Sequence, residues 1–309
     1  MARIMVKIMR KKERTLRDLK SRCLAFSENF TTLSKVIANS LNIVQPLRNI
    51  GFTALLAIIL LNSSSAQNQK EFKIKTIVID AGHGGKDPGT HGKSLKEKNL
   101  VLKIALKVGA NIQKNLPGVK VIYTRNDDTF IPLDERAEIA NTNKADLFVS
   151  IHANASPSVT AYGTETWVMG LDKSEKNMGV AKRENSVILL DENYEERYEG
   201  FDPNSPESHI LFELSQSAFQ ESSLKLASTV ENQFSKRVGR RSLGVKQGPF
   251  WVLWRTTMPS ILIEVGFLSN VKEESYLATD ANQELIASGI FRAIRDYKNE
   301  VESIKLGAD

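Results

Sequence analysis

The sequence predicts a single α/β domain, with a central mostly parallel or mixed sheet and helices on both faces. Three features carry that expectation: short β-branched apolar runs, stretches with helical apolar spacing between them, and a chain past residue 67 without internal repeats, low-complexity segments or Pro-rich linkers. Taken in order, Ile74-Lys75-Thr76-Ile77-Val78-Ile79 reads as a short buried strand. Leu100, Ile104, Val108 and Ile112 recur every four residues, with Val101 and Ala105 beside them, which makes one face of a helix over about 98–115. Lys120 to Thr124 reads as a strand and Leu133 to Asn141 as a short helix. Leu147, Val149 and Ile151 alternate in the next strand, and Thr164 to Met169 forms another. Leu211 to Val238 is helical in pattern. Strands are expected around Phe250-Trp251-Val252-Leu253 and Ile261-Leu262-Ile263, then a last helix from about Ala281 to Tyr297.

Charge is distributed unevenly along the 309 residues. The formal net charge is +6, yet residues 1–66 hold 11 Lys and Arg against Glu13, Asp18 and Glu28, a net of +8. The remainder carries a net of −2, which excludes a nucleic-acid-binding reading for the working domain. The only cysteine, Cys23, lies in the same N-terminal stretch, so no disulfides are expected and any metal site must be built from His and carboxylates.

The N-terminus reads as a leader. Arg48 precedes a 12-residue apolar run, Ile50 to Leu61, followed by Ser63-Ser64-Ser65-Ala66 and the polar Gln67-Asn68-Gln69. A spanning helix needs about 20 residues. A positive flank, a short apolar core and a small-residue site form the pattern of a signal peptide, with cleavage expected after Ala66. Residues 1–66 are therefore the leader, and an exported protein of the periplasm or cell envelope is expected. Residues 1–46 are long for such a leader's basic region and receive no function.

Three strands run into polar residues of one chemical kind. The first ends in Asp80-Ala81-Gly82-His83-Gly84-Gly85, the strand at 147–151 in His152-Ala153-Asn154, and the strand at 261–263 in Glu264-Val265-Gly266. In open α/β sheets ligands bind beyond the carboxyl ends of the strands. If these strands are neighbours, His83, His152 and Glu264 share one crevice, and Glu97, at the mouth of the 98–115 helix, is within reach. Two histidines and a carboxylate make a catalytic zinc set with a fourth position for water, and a further carboxylate can carry the water's proton. Each residue alone also has a structural reading. Ser94-Leu95-Lys96-Glu97 matches a capping box, the better reading of Glu97 from spacing alone. His91, in a Gly-flanked loop, is a spare ligand, a substrate contact or a solvated side chain, and His209 reads as surface.

Six ordered blocks resemble a known family, the zinc-dependent N-acetylmuramoyl-L-alanine amidases of cell separation and spore-wall turnover. They are Ile77 to Gly89, Glu97-Lys98, Tyr123-Thr124-Arg125, Leu133-Asp134-Glu135-Arg136, Phe148 to Ala155, and Pro259 to Asn270. The resemblance implies a catalytic domain over 72–300, zinc ligands at His83, Glu97 and His152, and a catalytic carboxylate at Glu264. It displaces the cap reading of Glu97. It also implies peptidoglycan as substrate, with the scissile amide joining N-acetylmuramic acid to L-alanine of the stem peptide.

Between Met169 and Leu211 the chain is longer than the minimal family pattern and is acidic from Asp191 to Asp202. This layout resembles that of the cell-separation members, which implies that residues 173–208 form a regulatory insertion, a lid over the zinc that a protein activator moves; long loops in compact domains tend to be functional, and a solvated loop is the alternative. Two other functions compete with the amidase: a zinc carboxypeptidase or endopeptidase of the wall, and a non-catalytic peptidoglycan-binding regulator.

Overall fold

The structure, a computed structural model, describes residues 73–170, 174–198, 200–202, 205 and 218–303. The leader with its apolar run at 50–61, Cys23, His209 and the helical reading of 211–217 lie outside the described residues.

Among the described residues six strands form one sheet: β1 (Thr76–Ala81), β2 (Lys120–Tyr123), β3 (Leu147–Asn154), β4 (Thr164–Met169), β5 (Ser242–Gly248) and β6 (Ser260–Phe267). Their order across the sheet is β2-β1-β3-β6-β4-β5. The pairs β2–β1, β1–β3, β3–β6 and β4–β5 are parallel, and β6–β4 is antiparallel, so the sheet is mixed as expected. β1, β3 and β6 lie side by side, which brings the three polar strand ends of the sequence to one edge.

One face of the sheet is covered by α1 (Glu97–Asn115), α5 (Gln220–Gln233) and α8 (Asp280–Ser303). Their apolar stripes bury Ile104, Val108, Leu226, Val230, Ile290 and Ile294 against Ile77, Ile79, Val149, Ile151, Ile261 and Ile263. The central strands are buried on both faces, which is why they read as near-continuous apolar runs. On the other face α2 (Leu133–Thr142), α3 (Glu175–Asn185) and α6 (Trp251–Trp254) pack on Val78, Phe148, Trp167 and Leu262. α4 (Tyr194–Arg197) belongs to the segment inserted after β4, and α7 (Val271–Leu277) follows β6. No helix among the described residues is long and apolar enough to cross a membrane.

Two expectations are corrected. Phe250 to Leu253 is no strand: Trp251–Trp254 makes a single helical turn, and the edge strand is Ser242–Gly248. A four-residue apolar run has no period that separates a buried strand from a buried turn. Pro249, which carries no N–H to donate, follows directly on the strand. The capping box at Ser94 is also absent, because α1 begins at Glu97 with Lys96 as its cap. Ser94 instead donates its N–H and Oγ–H to Glu274.

Candidate metal centre

Side chains alternate along a strand, so Ser150, His152 and Asn154 of β3 point to the face opposite the large helical layer. Register partners place Asp80 beside Ser150, Glu264 beside His152, and Glu165 of β4 beside Glu264. A polar row thus crosses the carboxyl edge of an otherwise apolar sheet.

His83 enters this row from the turn after β1. Its own backbone is left-handed, with φ of 61°, a conformation that a non-glycine residue holds only when its surroundings impose it. Two buried arginines do so. Arg125 donates to the carbonyls of Ala81 at 2.8 Å and Gly82 at 2.7 Å. Arg136 donates to the carbonyls of Ala81 and His83, both at 2.8 Å, and to Asp80 Oδ1 at 2.8 Å. Gly82 lies flat against the His152 ring, where a Cβ would stand 2.4 Å from the imidazole. Asp87 Oδ2 lies 2.6 Å from His83 Nδ1. A carboxylate only accepts, so Nδ1 carries a proton, and whenever the imidazole is neutral the lone pair is on Nε2, facing the site.

Glu97, the first residue of α1, accepts from Thr90 N through Oε2 at 2.7 Å and from Ala153 N through Oε1 at 2.9 Å. Its Oε1 is 3.0 Å from His83 Nε2 and 3.2 Å from His152 Nδ1. The three sequence-expected ligands therefore meet around one point. A fourth group, absent from the sequence reading, joins them: Glu184, near the end of α3, puts Oε2 3.1 Å from His152 Nδ1 and 3.4 Å from His83 Nε2. All four side chains are buried.

This set fits a divalent cation of zinc's size. A tetrahedron with bonds of about 2.0–2.1 Å to His N and carboxylate O has edges of about 3.3 Å. Four of the six donor separations, 3.0–3.4 Å, match such edges, and all four atoms lie within 4.8 Å of one another. His83 Nε2, His152 Nδ1 and Glu184 Oε2 are buried yet make no hydrogen bond, as atoms facing a shared cation would. In folded proteins buried polar atoms are nearly always satisfied.

The electrostatics follow from crowding four ionisable groups. Burial disfavours the imidazolium of His152, but Glu184 and Glu97 outweigh it and lift its pKa to about 9. His83 is raised well above its ordinary value in the same contest, with Glu97 the main opposing charge. Burial also works against charged Glu97, yet His83 and His152 hold it down at about 2. Glu184 is held well below the usual range by His152, His83 and Arg183, against burial.

Glu264 stands apart from the four. Its carboxyl is fully buried beside His152, and neither oxygen has a hydrogen-bond partner. Burial, with the charges of Glu184 and Glu97, pushes its pKa well above the carboxylate range. Arg183 Nη2 is 3.9 Å from Glu264 Oε1 and donates to Asn154 Oδ1 at 2.8 Å. His91 is exposed at the rim of the approximately 360 Å3 cavity over His83, Glu97 and Glu184, and is not part of the cluster.

The described residues of the segment after β4 pack on the domain. Asn185 accepts from Trp251 N at 2.9 Å and donates to Pro249 O at 2.7 Å. Tyr198 and Phe201 pack on the Trp251 ring at 5.2 and 4.8 Å between centroids. Lys86 donates to Leu190 O at 2.6 Å.

Residues 77–296 match the family model described as N-acetylmuramoyl-L-alanine amidase. The chain is 35% identical over 224 residues to the N-acetylmuramoyl-L-alanine amidase AmiC of Escherichia coli O6:H1, a match that takes in 72% of this chain and 52% of AmiC. It thus spans about half the length of that relative. Among solved structures, the N-acetylmuramoyl-L-alanine amidase from Clostridium difficile 630 superposes with a TM-score of 0.55 at 32% identity, covering 74% of this chain and 98% of that one. The CwlD amidase from Clostridioides difficile in complex with the GerS lipoprotein gives a TM-score of 0.53 at 28% identity, covering 73% and 99%.

Proposed function

The chain belongs to the N-acetylmuramoyl-L-alanine amidase family, and from that membership we propose that it hydrolyses the amide between N-acetylmuramic acid and L-alanine of the peptidoglycan stem peptide, using zinc held by His83, Glu97 and His152. The observation that carries the proposal is the buried cluster of four donors with an unpartnered carboxyl, Glu264, beside it.

Zinc, when bound, lowers the pKa of water to about 7 and polarises the scissile carbonyl. Every other step falls to the chain. Asp87 keeps the proton on His83 Nδ1, so Nε2 remains a donor atom toward the cation. Glu264 accepts the proton of the attacking water and delivers it to the departing amine of L-alanine. Its burial suits the second half of that task, since a carboxyl with a raised pKa holds a proton long enough to donate it.

Catalytic zinc sites keep one position open, whereas four protein ligands close it. Glu184 is therefore read as a plug, and residues 173–208 as a regulatory insertion that must withdraw α3 before substrate enters. An activator protein that draws the helix away fits this reading, and the solved CwlD relative in complex with a lipoprotein supports it. The leader pattern over 1–66 supports export and action in the cell envelope or periplasm, in wall remodelling or daughter-cell separation.

The test is mass spectrometry of soluble products from purified sacculi incubated with the full chain and with its Glu184→Ala variant, with zinc or with chelator. Free stem peptides beginning at L-alanine, absent under chelation, are expected. Shortened peptides still joined to muramic acid would replace the amidase with a stem-peptide peptidase. Silence from both proteins with zinc loaded would leave the binding-regulator reading.

A further inference from the structure

Three of the six strongly exposed large apolar side chains among the described residues gather in one place: Val159 at 69%, Val271 at 62% and Tyr162 at 47% exposure. They line a groove of about 870 Å3, with Tyr276 and Lys272 also in its wall. Scattered apolar side chains are ordinary, but a cluster rimmed by charge marks an interaction surface.

The groove is built on the same sheet edge as the metal centre. One wall is the loop leaving β3, which carries His152; the other is the loop leaving β6, which carries Glu264. Ser269 is the fifth residue after Glu264, a reach of no more than about 17 Å of extended chain. The walls are tied together: Ser156 N donates to Ser269 Oγ at 2.9 Å, Asn270 Nδ2 to Ala161 O at 3.0 Å, and Gly163 N to Glu273 Oε2 at 3.1 Å. The loop is thus a fixed surface.

Its outward charge is positive. Glu273, in the groove wall, is buried and neutralised by Arg240 beside it, and the neighbouring Glu274 is taken up by the N–H groups of Lys93, Ser94 and Leu95. Lys272 and Arg241 are exposed, with the Arg241 guanidinium 4.7 Å over the Tyr162 ring. An occupant that complements this surface carries carboxylates beside small apolar groups.

We propose that the groove is a second peptidoglycan subsite, which takes a stem peptide neighbouring the one being cut and seats its free carboxylates on Lys272 and Arg241 and its alanine methyls on Val159, Tyr162 and Val271. The proposal rests on the amidase reading for its choice of polymer. A wall polymer whose amide reaches the cluster of His83, Glu97 and His152 runs along the carboxyl edge of the sheet, and the groove lies on that edge. Attachment through two peptides of one polymer raises the effective concentration at the metal centre.

The experiment is co-sedimentation of the full chain with purified sacculi, in a Glu264→Gln background that leaves the polymer intact. Tyr162→Ser with Val271→Asn, and separately Lys272→Glu, are expected to weaken retention about tenfold each, or 1.4 kcal/mol. Sacculi whose carboxyl groups have been amidated are expected to retain the parent equally weakly. Melting temperature and zinc content within error of the parent establish that the variants are folded. Undiminished retention of folded variants overturns the proposal. So does loss of binding to anionic lipid vesicles, or of self-association, with sacculus binding unchanged, since the groove then serves a membrane or a second copy. Cleavage of a soluble muramoyl-peptide by the Glu184→Ala protein is scored separately and bears on the amidase reading alone.

Discussion

Glu184 Oε2 lies 3.1 Å from Nδ1 of His152, the distance between two ligands of one tetrahedral ion. The helix that carries it, α3, lies in the segment after β4, so in the proposed reading closure of the site and seating of that segment are one event. Glu184→Ala removes the fourth donor and leaves three. The initial rate of peptide release from sacculi is expected to rise about tenfold or more, since a plug favoured by only 1.4 kcal/mol already hides a factor of ten. Zinc affinity is expected to fall in the same variant. An unchanged rate at equal metal content would mean that Glu184 does not gate the site.

Glu264 is expected to separate catalysis from metal binding. Glu264→Gln preserves shape in a site with no room to relax, and removes only the ability to carry a proton. Turnover is expected to drop by about 10²–10⁴, with bound zinc unchanged. Zinc content measured by atomic absorption alongside turnover decides it: metal lost together with activity would make Glu264 a ligand.

The sheet edge was legible in sequence because central strands are apolar throughout and any polar residue at their ends stands out. His83, His152 and Glu264 were visible on that ground, and the structure makes β1, β3 and β6 neighbours. Glu97 was ambiguous by spacing, since a carboxylate at a helix start serves a cap or a cation equally well; only its contacts at 3.0 and 3.2 Å with two imidazoles separate the two. Glu184 was missed, although a signal existed. Asn177, Val180, Ala181, Glu184 and Ile188 follow helical spacing and are all buried, so the glutamate sits on the stripe that packs inward. A stripe interrupted by Asn and Glu reads as solvated until a partner for the charge is known. β5 was unreadable for a different reason. Ser242-Leu243-Gly244-Val245-Lys246-Gln247-Gly248 has little strand propensity and is held as an edge by β4 alone.

Arg136 is predicted to position His83 rather than touch substrate. Its fork grips Asp80 and the carbonyls of Ala81 and His83, which fixes the left-handed turn that aims the imidazole. Arg136→Lys keeps the charge but cannot reproduce the planar fork. Zinc affinity is expected to fall about 10–100-fold, the usual cost of losing a group that orients a ligand. Arg136→Ala strands Asp80 as a buried charge and is expected to cost about 3–5 kcal/mol of stability. Competition against a chromophoric chelator and urea unfolding measure the two effects. A lysine variant with full zinc affinity would show that the turn holds its shape without the fork.

The proton balance of the cluster predicts opposite pH trends for chelated and zinc-loaded protein. Burial alone would lower both imidazole pKa values, but the carboxylates prevail, leaving His152 at about 9 and His83 well above its ordinary value. A histidine whose pKa is raised by folding stabilises the fold fully below its unfolded value of about 6.5. That contribution is lost as pH rises through the folded value. In chelator, the urea midpoint is therefore expected to fall between pH 6.5 and 9. Zinc reverses the slope, because His83 and His152 must shed their protons to bind it, and affinity rises by about one to two decades per pH unit over the same range. Glu184→Gln removes the leading opposing charge at His152 and is expected to flatten the chelated slope. A chelated midpoint that stays level or climbs toward pH 9 would mean that the imidazoles and carboxylates do not share protons in the folded chain, and that the cluster closes only around a cation.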